Sequence, residues 1–237
     1  MTYFMYTEYP ISCILHSMKA IILAGGFGIR LRDVWSRPKC LVDIGGGKRL
    51  LDHQIERLRE SGAADIRLSV HYKADEVRAY ARKFGNGVSC VYEPEPLGTG
   101  GAVKFATRGW REPVVVCNGD IITHVDFSAL ISKAVETRRH TLSVVAAPAK
   151  DFGGVDLLGD RIVGFFEKRG GEEFTRVSEG FYVLFPGIFE HFPEKFSIEK
   201  DCFPRLARRG MLRAHIHGSR WLDIGTPERF EKRGDIL

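Results

Sequence analysis

The chain has 237 residues, 44% of them hydrophobic and 27% charged, with a formal net charge of +5. That is the balance of an ordinary soluble globular protein, long enough to bury a sizeable core as one large domain or two small ones, and no apolar run reaches membrane-spanning length. The basic excess favours anionic partners, but the basic residues are spread out and form no recognised nucleic-acid module, so the expected partners are small phosphorylated molecules, not nucleic acid or a membrane.

Residues 1–17 read as a leader or flexible tail: Glu8 and Pro10 fall within them, and the basic n-region of a signal peptide is missing. Cys13, Cys40, Cys90, Cys117 and Cys202 are odd in number, far apart and without C-x-x-C pairs. They fit the reduced thiols of a cytoplasmic protein better than disulfides or a zinc knuckle.

Ala20-Ile21-Ile22-Leu23 predicts a buried strand, followed at once by Gly25-Gly26-Phe27-Gly28-Ile29-Arg30. Glycines here let the backbone curl and present its N–H groups to an anion, with Arg30 and then Lys39 adding positive charge. Neither common glycine motif applies. The dinucleotide pattern meets Leu31 where its third glycine belongs, and the P-loop pattern at Gly47-Lys48 has Arg49 in place of Ser/Thr and Val42 in place of its first glycine. A phosphate site and a plain strand-to-helix turn both remain open on these residues alone.

Gly45-Gly46-Gly47 marks a turn, and Leu50 to Leu58 has helical spacing with Leu51, Ile55 and Leu58 on one face, closed by Ser61-Gly62. Strands over 66–70 and 88–92 flank a helix from Asp75 to Phe84, with Val77 and Tyr80 inward. This alternation predicts an α/β fold, with a mixed, mainly parallel sheet covered by helices on both faces and ligands bound beyond the carboxyl ends of the strands.

The loop Glu93-Pro94-Glu95-Pro96-Leu97-Gly98-Thr99-Gly100-Gly101-Ala102 lies at such an end; Thr99 would cap the next helix, or the glycines would let the backbone lie against a nucleobase. The strand 113–117 delivers Asn118-Gly119-Asp120, by itself a common turn. A helix over 127–138, a strand over 142–146 and a hairpin around Gly159-Asp160-Arg161 follow. His215 and His217 would share one side of a strand, but no third metal ligand accompanies them, so they read as surface histidines. Thr226-Pro227 is a helix start, which leaves Asp223 unexplained.

In this order, L-A-G-G-x-G-x-R-L, P-K, E-x-x-P-L-G-T-x-G-A, N-G-D, F-x-E-K, S-x-G-x-Y and W-x-D-I-G-T-P-E resemble the motifs of the sugar-1-phosphate nucleotidyltransferases. Ile29 stands where that family usually has Thr, and Ser178 where it has Asn. The resemblance implies a single Rossmann-like domain over 18–237 that takes a nucleoside triphosphate and a sugar 1-phosphate and releases pyrophosphate. It implies nucleotide contacts from Leu23, Gly25, Gly26, Gly28, Glu93, Gly98 and Thr99, and catalytic charges on Arg30 and Lys39. It further implies sugar-phosphate contacts from Gly154, Glu167, Lys168, Ser178 and Lys200, and Mg²⁺ held by Asp120 and Asp223. Ser197-Ile198-Glu199-Lys200-Asp201 resembles the branch that handles manno-configured heptose 1-phosphate with GTP, and some mannose 1-phosphate enzymes. Within the class, mannose 1-phosphate as acceptor or uridylyl transfer to another sugar 1-phosphate is the alternative; an inactive nucleotide-sugar-binding subunit is the alternative from another class, and the oligomeric state, homo-oligomer included, is left open.

Overall fold

The computed structural model describes residues 18–149, 152–167 and 174–236; the leader and Lys168 lie outside them. Its framework is the run that opens the domain. In β1 (Met18–Leu23), Ala20 and Ile22 point into one core and Ile21 into another, each fully buried, as expected of a central strand covered on both faces. After a two-strand hairpin, β2 (Asp43–Gly45) and β3 (Lys48–Arg49), come α1 (Leu50–Glu60), β4 (Ala63–Val70), α2 (Ala74–Ala81) and β5 (Val88–Tyr92). The chain continues through α3 (Gly98–Ala106), β6 (Val114–Asn118), β7 (Ile121–Thr123), α4 (Phe127–Thr137), β8 (His140–Ala149), β9 (Gly153–Leu158) and β10 (Arg161–Phe166). It closes with β11 (Phe174–Leu184), α5 (Phe203–Arg208), β12 (Leu212–His217), β13 (Trp221–Asp223) and α6 (Pro227–Glu231).

Nine strands form one mixed sheet in the order β5-β4-β1-β6-β11-β8-β12-β10-β9. It is parallel from β5 to β6 and again between β8 and β12, whereas β11 runs antiparallel to β6, β8 and β9. Helices α1, α2 and α4 cover one face with Leu51, Ile55, Leu58, Val77, Leu130 and Ile131. Helices α3 and α5 cover the other with Val103, Ala106, Phe203 and Leu206. Among the described residues the cysteines are free thiols, and no helix is long and apolar enough to cross a membrane.

Two local departures from sheet regularity shape the carboxyl edge. In β11, Ser178 pairs with Val144 and Tyr182 with Leu142, so residues 179–181 oppose Ser143 alone. This bulge needs Gly180 at φ +92°, where a Cβ would stand 2.5 Å from Ile121 and 2.7 Å from Asn118. A separate ribbon pairs β7 with β13, Asp223 opposite Ile121, over a small core of Leu31, Ile44, Leu50, Ile122, Ile224 and Phe230.

Helix α3 begins at Gly98, so Thr99 lies inside it and is not its cap. Its glycines are required by a neighbour: a Cβ on Gly101 would stand 2.2 Å from the backbone oxygen of Glu194, and one on Gly100 2.2 Å from the Phe196 ring. Helix propensity alone favours Gly→Ala by about 1 kcal/mol. The overpacking outweighs it: Gly101→Ala is expected to destabilise the fold by about 1–3 kcal/mol, read as a lower urea midpoint, and a raised midpoint would refute the packing argument.

Candidate active site

The carboxyl ends of β1 and β6, Glu93 just after β5, and the bulged middle of the antiparallel β11 open into a cleft of about 390 Å³. Of the residues expected there, Leu23, Gly25, Gly26, Arg30, Lys39, Glu93, Gly98, Thr99, Asp120, Glu167, Ser178 and Asp223 line it. Residues two hundred positions apart, Leu23 and Asp223, therefore line one cleft.

The glycine loop and the Asn118-Gly119-Asp120 turn are joined directly. Gly119 N donates to Leu23 O at 3.1 Å, and a Cβ on Gly119 would lie 2.3 Å from that oxygen. The turn is also held from below by α1, whose Gln54 Nε2 donates to the carbonyls of Asn118 at 2.8 Å and Ile121 at 2.9 Å. His53 Nε2 lies 2.8 Å from Thr123 O. These side chains satisfy carbonyls of a short strand whose own pairing is limited to β13. Sequence reading missed Gln54, because its spacing marks it only as one more position on a buried helix face.

Lys39 leaves a short 3-10 turn after Pro38 and places Nζ 2.8 Å from Asp120 Oδ2, both side chains largely buried. Ile224 N donates to Asp120 O at 2.9 Å, which sets Asp223 beside the turn. Asp223 accepts from Gly225 N at 2.5 Å and lies 3.3 Å from Arg229 Nη2. A Cβ on Gly225 would stand 2.6 Å from Asp223 Oδ1 and 3.5 Å from Arg30 Nη2, so this glycine leaves room for both. Gly28, at φ +61°, starts the turn that carries Arg30 and packs beside the Lys39 stem without lining the cleft.

Burial first, and then the Asp120 charge, hold the Asp223 carboxyl above the usual carboxylate range, against the lowering effect of Arg229 and Lys39. Two acids forced together in this way suit a hard divalent cation that also takes phosphate oxygens. Cys40 at the same wall is pushed up to about 12 by burial and stays a neutral thiol, so the carboxylates are the ionised donors there. Among the described residues no group of three or more His, Cys, Asp or Glu side chains is arranged to hold a metal, so any ion here would complete its shell from substrate and water.

Glu93 is buried and already engaged: it accepts from Ser69 Oγ at 2.8 Å and Leu97 N at 3.2 Å, and Oε1 would stand 3.0 Å from a Cβ on Gly25. It braces the glycine loop against the Leu97-Gly98 loop. Three expectations change on the other side of the cleft. Gly153, not Gly154, lines it; a Cβ on Gly154 would lie 2.1 Å from the Phe174 ring, which stacks on Phe166 at 5.2 Å. Lys200 is exposed and borders a neighbouring cavity with Glu167, Glu199 and Arg208 instead of the cleft. Within that motif it is Glu199 that faces the cleft. His217, expected at the surface, joins a buried network: Nε2 lies 2.7 Å from Ser143 Oγ and 3.2 Å from Glu179 Oε1, and Glu179 also accepts from Thr123. Glu179 was missed because only the bulge in β11 turns it inward.

Above its folded-state value Asp223 ionises at a cost that the unfolded chain does not bear, so its destabilising effect is complete at neutral pH and vanishes below 3.8, the ordinary value. Asp223→Asn keeps an acceptor for Gly225 N. Without divalent cations it is expected to melt higher than the parent at pH 7, with the difference closing as the pH falls toward 3.8; equal melting temperatures at pH 7 would show that the two carboxylates do not strain each other.

A family model described as "Nucleotidyl transferase" matches residues 19–235. A mannose-1-phosphate guanyltransferase of Neurospora crassa is 34% identical over 231 residues, and the mannose-1-phosphate guanylyltransferase catalytic subunit beta of Danio rerio 34% identical over 227. Each match covers 90% of this chain and 62% of the relative, so the chain spans less than two thirds of their length. The crystal structure of HddC from Yersinia pseudotuberculosis superposes with a TM-score of 0.78 at 32% identity, covering 92% of this chain and 98% of that one. HddC complexed with GMP-PN superposes at 0.77 with 33% identity and the same coverage. Together with the ordered meeting of the glycine loop, Lys39, Asp120 and Asp223 in one cleft, these matches show that the chain belongs to the nucleotidyl transferase family.

Proposed function

We propose that the protein transfers a guanylyl group from GTP to a manno-configured sugar 1-phosphate, D-glycero-α-D-manno-heptose 1-phosphate first, releasing pyrophosphate. The observation that carries the reaction class is the Lys39–Asp120 ion pair, 2.8 Å long, held in the wall of a cleft between the glycine loop and Asp223. Guanine is supported by the names of the relatives and by the GMP-PN complex of HddC. The heptose reading rests on the S-x-E-K-D motif; mannose 1-phosphate is the second reading, favoured by the names of the Neurospora and Danio relatives.

A sugar phosphate oxygen is already an anion and needs no general base to attack the α-phosphorus. The barrier lies in repulsion between two polyanions and in the in-line geometry, which charge and positioning overcome. Arg30 neutralises the triphosphate and the departing pyrophosphate. Lys39 bridges the attacking and α-phosphates, with Asp120 orienting its ammonium group. Glu167 and Ser178 hold sugar hydroxyls at the far end. Asp120 and Asp223 would hold Mg²⁺, which when bound supplies Lewis-acid neutralisation of the α-phosphate.

The test is pyrophosphate release with Mg²⁺, crossing the common nucleoside triphosphates with mannose, glucose and manno-heptose 1-phosphates. Release with GTP and the manno-heptose phosphate supports the full reading; another productive pair moves the substrate within the class. Silence across the panel from folded protein would overturn the activity in favour of a binding subunit. In the same assay Lys39→Ala is expected to lower kcat by roughly 10²–10³ without unfolding the protein; near-parental turnover would remove Lys39 from the chemistry.

A further inference from the structure

Glu199 lies on the π-type turn Ile198–Cys202 that precedes α5, half-buried, at the wall shared by the cleft and the neighbouring cavity. Three hydroxyls from three parts of the chain donate to it. Thr99, in the first turn of α3, donates to Oε2 at 2.5 Å; Ser197 donates to Oε2 at 3.0 Å; Tyr182, on β11, donates to Oε1 at 3.3 Å.

The two ends that Glu199 touches belong to different halves of the cleft. Thr99 follows Gly98 at the nucleotide end, and this loop is laced to the Glu199 segment: Gly100 N and Gly101 N donate to Phe196 O at 3.0 and 3.2 Å, and Ile198 N donates to Thr99 Oγ1 at 3.0 Å. Tyr182 lies beyond the β11 bulge from Ser178, and both line the cleft at the sugar end with Glu167. Burial, then the charges of Glu199 and Glu167, push the Tyr182 phenol well above its ordinary value, so it remains a donor. The other members of the motif serve the turn itself. Ser197 Oγ accepts from Lys200 N at 3.2 Å, and Asp201 Oδ2 accepts from Ser197 N at 2.8 Å.

We propose that Glu199 is a positioning residue that couples the two half-sites, so that a nucleotide seated against the first turn of α3 at Gly98-Thr99 aligns Tyr182 and the sugar-phosphate pocket, and a sugar phosphate reciprocally tightens the nucleotide. The inference rests on the nucleotidyl-transfer reading of the cleft. Its chemistry is acceptor-only: a carboxylate takes all three hydroxyl protons, whereas an amide cannot. In Glu199→Gln either orientation fails. With nitrogen at the Oε2 position the Thr99 and Ser197 protons lose their acceptor, and with nitrogen at Oε1 the Tyr182 proton does.

The test uses equilibrium binding of α,β-methylene GTP, which cannot release pyrophosphate, titrated with and without mannose 1-phosphate. The intact protein is expected to bind the analogue about fivefold or more tightly when the sugar phosphate is present, the lower range of ordinary site-to-site coupling. Glu199→Gln is expected to keep analogue affinity within about threefold when sugar phosphate is absent and to lose the coupling. Tyr182→Phe cuts only the Oε1 arm and keeps the ring against Phe203, so it is expected to lose part of the coupling with the same unpaired affinity. A residue that merely supports the turn would weaken both measurements together. Unchanged coupling in folded Glu199→Gln, no coupling in the parent, or equal loss of analogue affinity and coupling overturns the proposal. Because binding is read without turnover, silence in the pyrophosphate assay bears on the proposed activity alone.

Discussion

The site depends on one backbone contact. Gly119 N donates to Leu23 O at 3.1 Å, so the glycine loop after β1 and the aspartate turn after β6 rest on each other. No side chain fits between them, since a Cβ on Gly119 would lie 2.3 Å from that oxygen. From this contact the charges take their places: Lys39 reaches Asp120, and Asp120 O receives Ile224 N, which brings Asp223 alongside. The cost appears as two carboxylates pressed into one buried corner, an arrangement that folding alone would not favour and that anionic substrates with a cation would relieve.

Around that corner the protein uses side chains where strands run out. Among the described residues β7 pairs only with β13, and the carbonyls left over are taken by Gln54 and His53 of α1. On its other flank Thr123 donates to Glu179, a carboxylate with no solvent exposure that also accepts from Ser143. Buried polar contacts of this kind favour one arrangement of the strand, which an apolar contact of the same area would not.

The central strands were legible because both of their faces are buried, so β1 and β6 appear as unbroken apolar runs with the chemistry at their ends. The glycine loop, Lys39, Asp120 and Asp223 were legible only through their order along the chain; no single motif distinguishes a turn from a site. What the sequence hid is set by neighbours distant along the chain. Gly154 reads as well as Gly153 until Phe174 is seen to fill the space above it. Likewise Glu199 and Lys200 are adjacent charges, of which the π-type turn sets Glu199 in the cleft wall and leaves Lys200 exposed, and the glycines of α3 answer to residues 194–197.

The ribbon of β7 and β13 joins residues 121–123 to residues 221–223. During synthesis the strands β5, β4, β1 and β6 can pair while most of this second partner is still unmade, since their contacts need nothing beyond residue 118. A nascent chain at that stage already presents its glycine loop and Asp120, but its aspartate turn lacks the strand that covers it and the second carboxylate. The half-built cleft then holds Arg30 and Lys39 beside Asp120 alone, and only the late closure of the ribbon adds the second carboxylate.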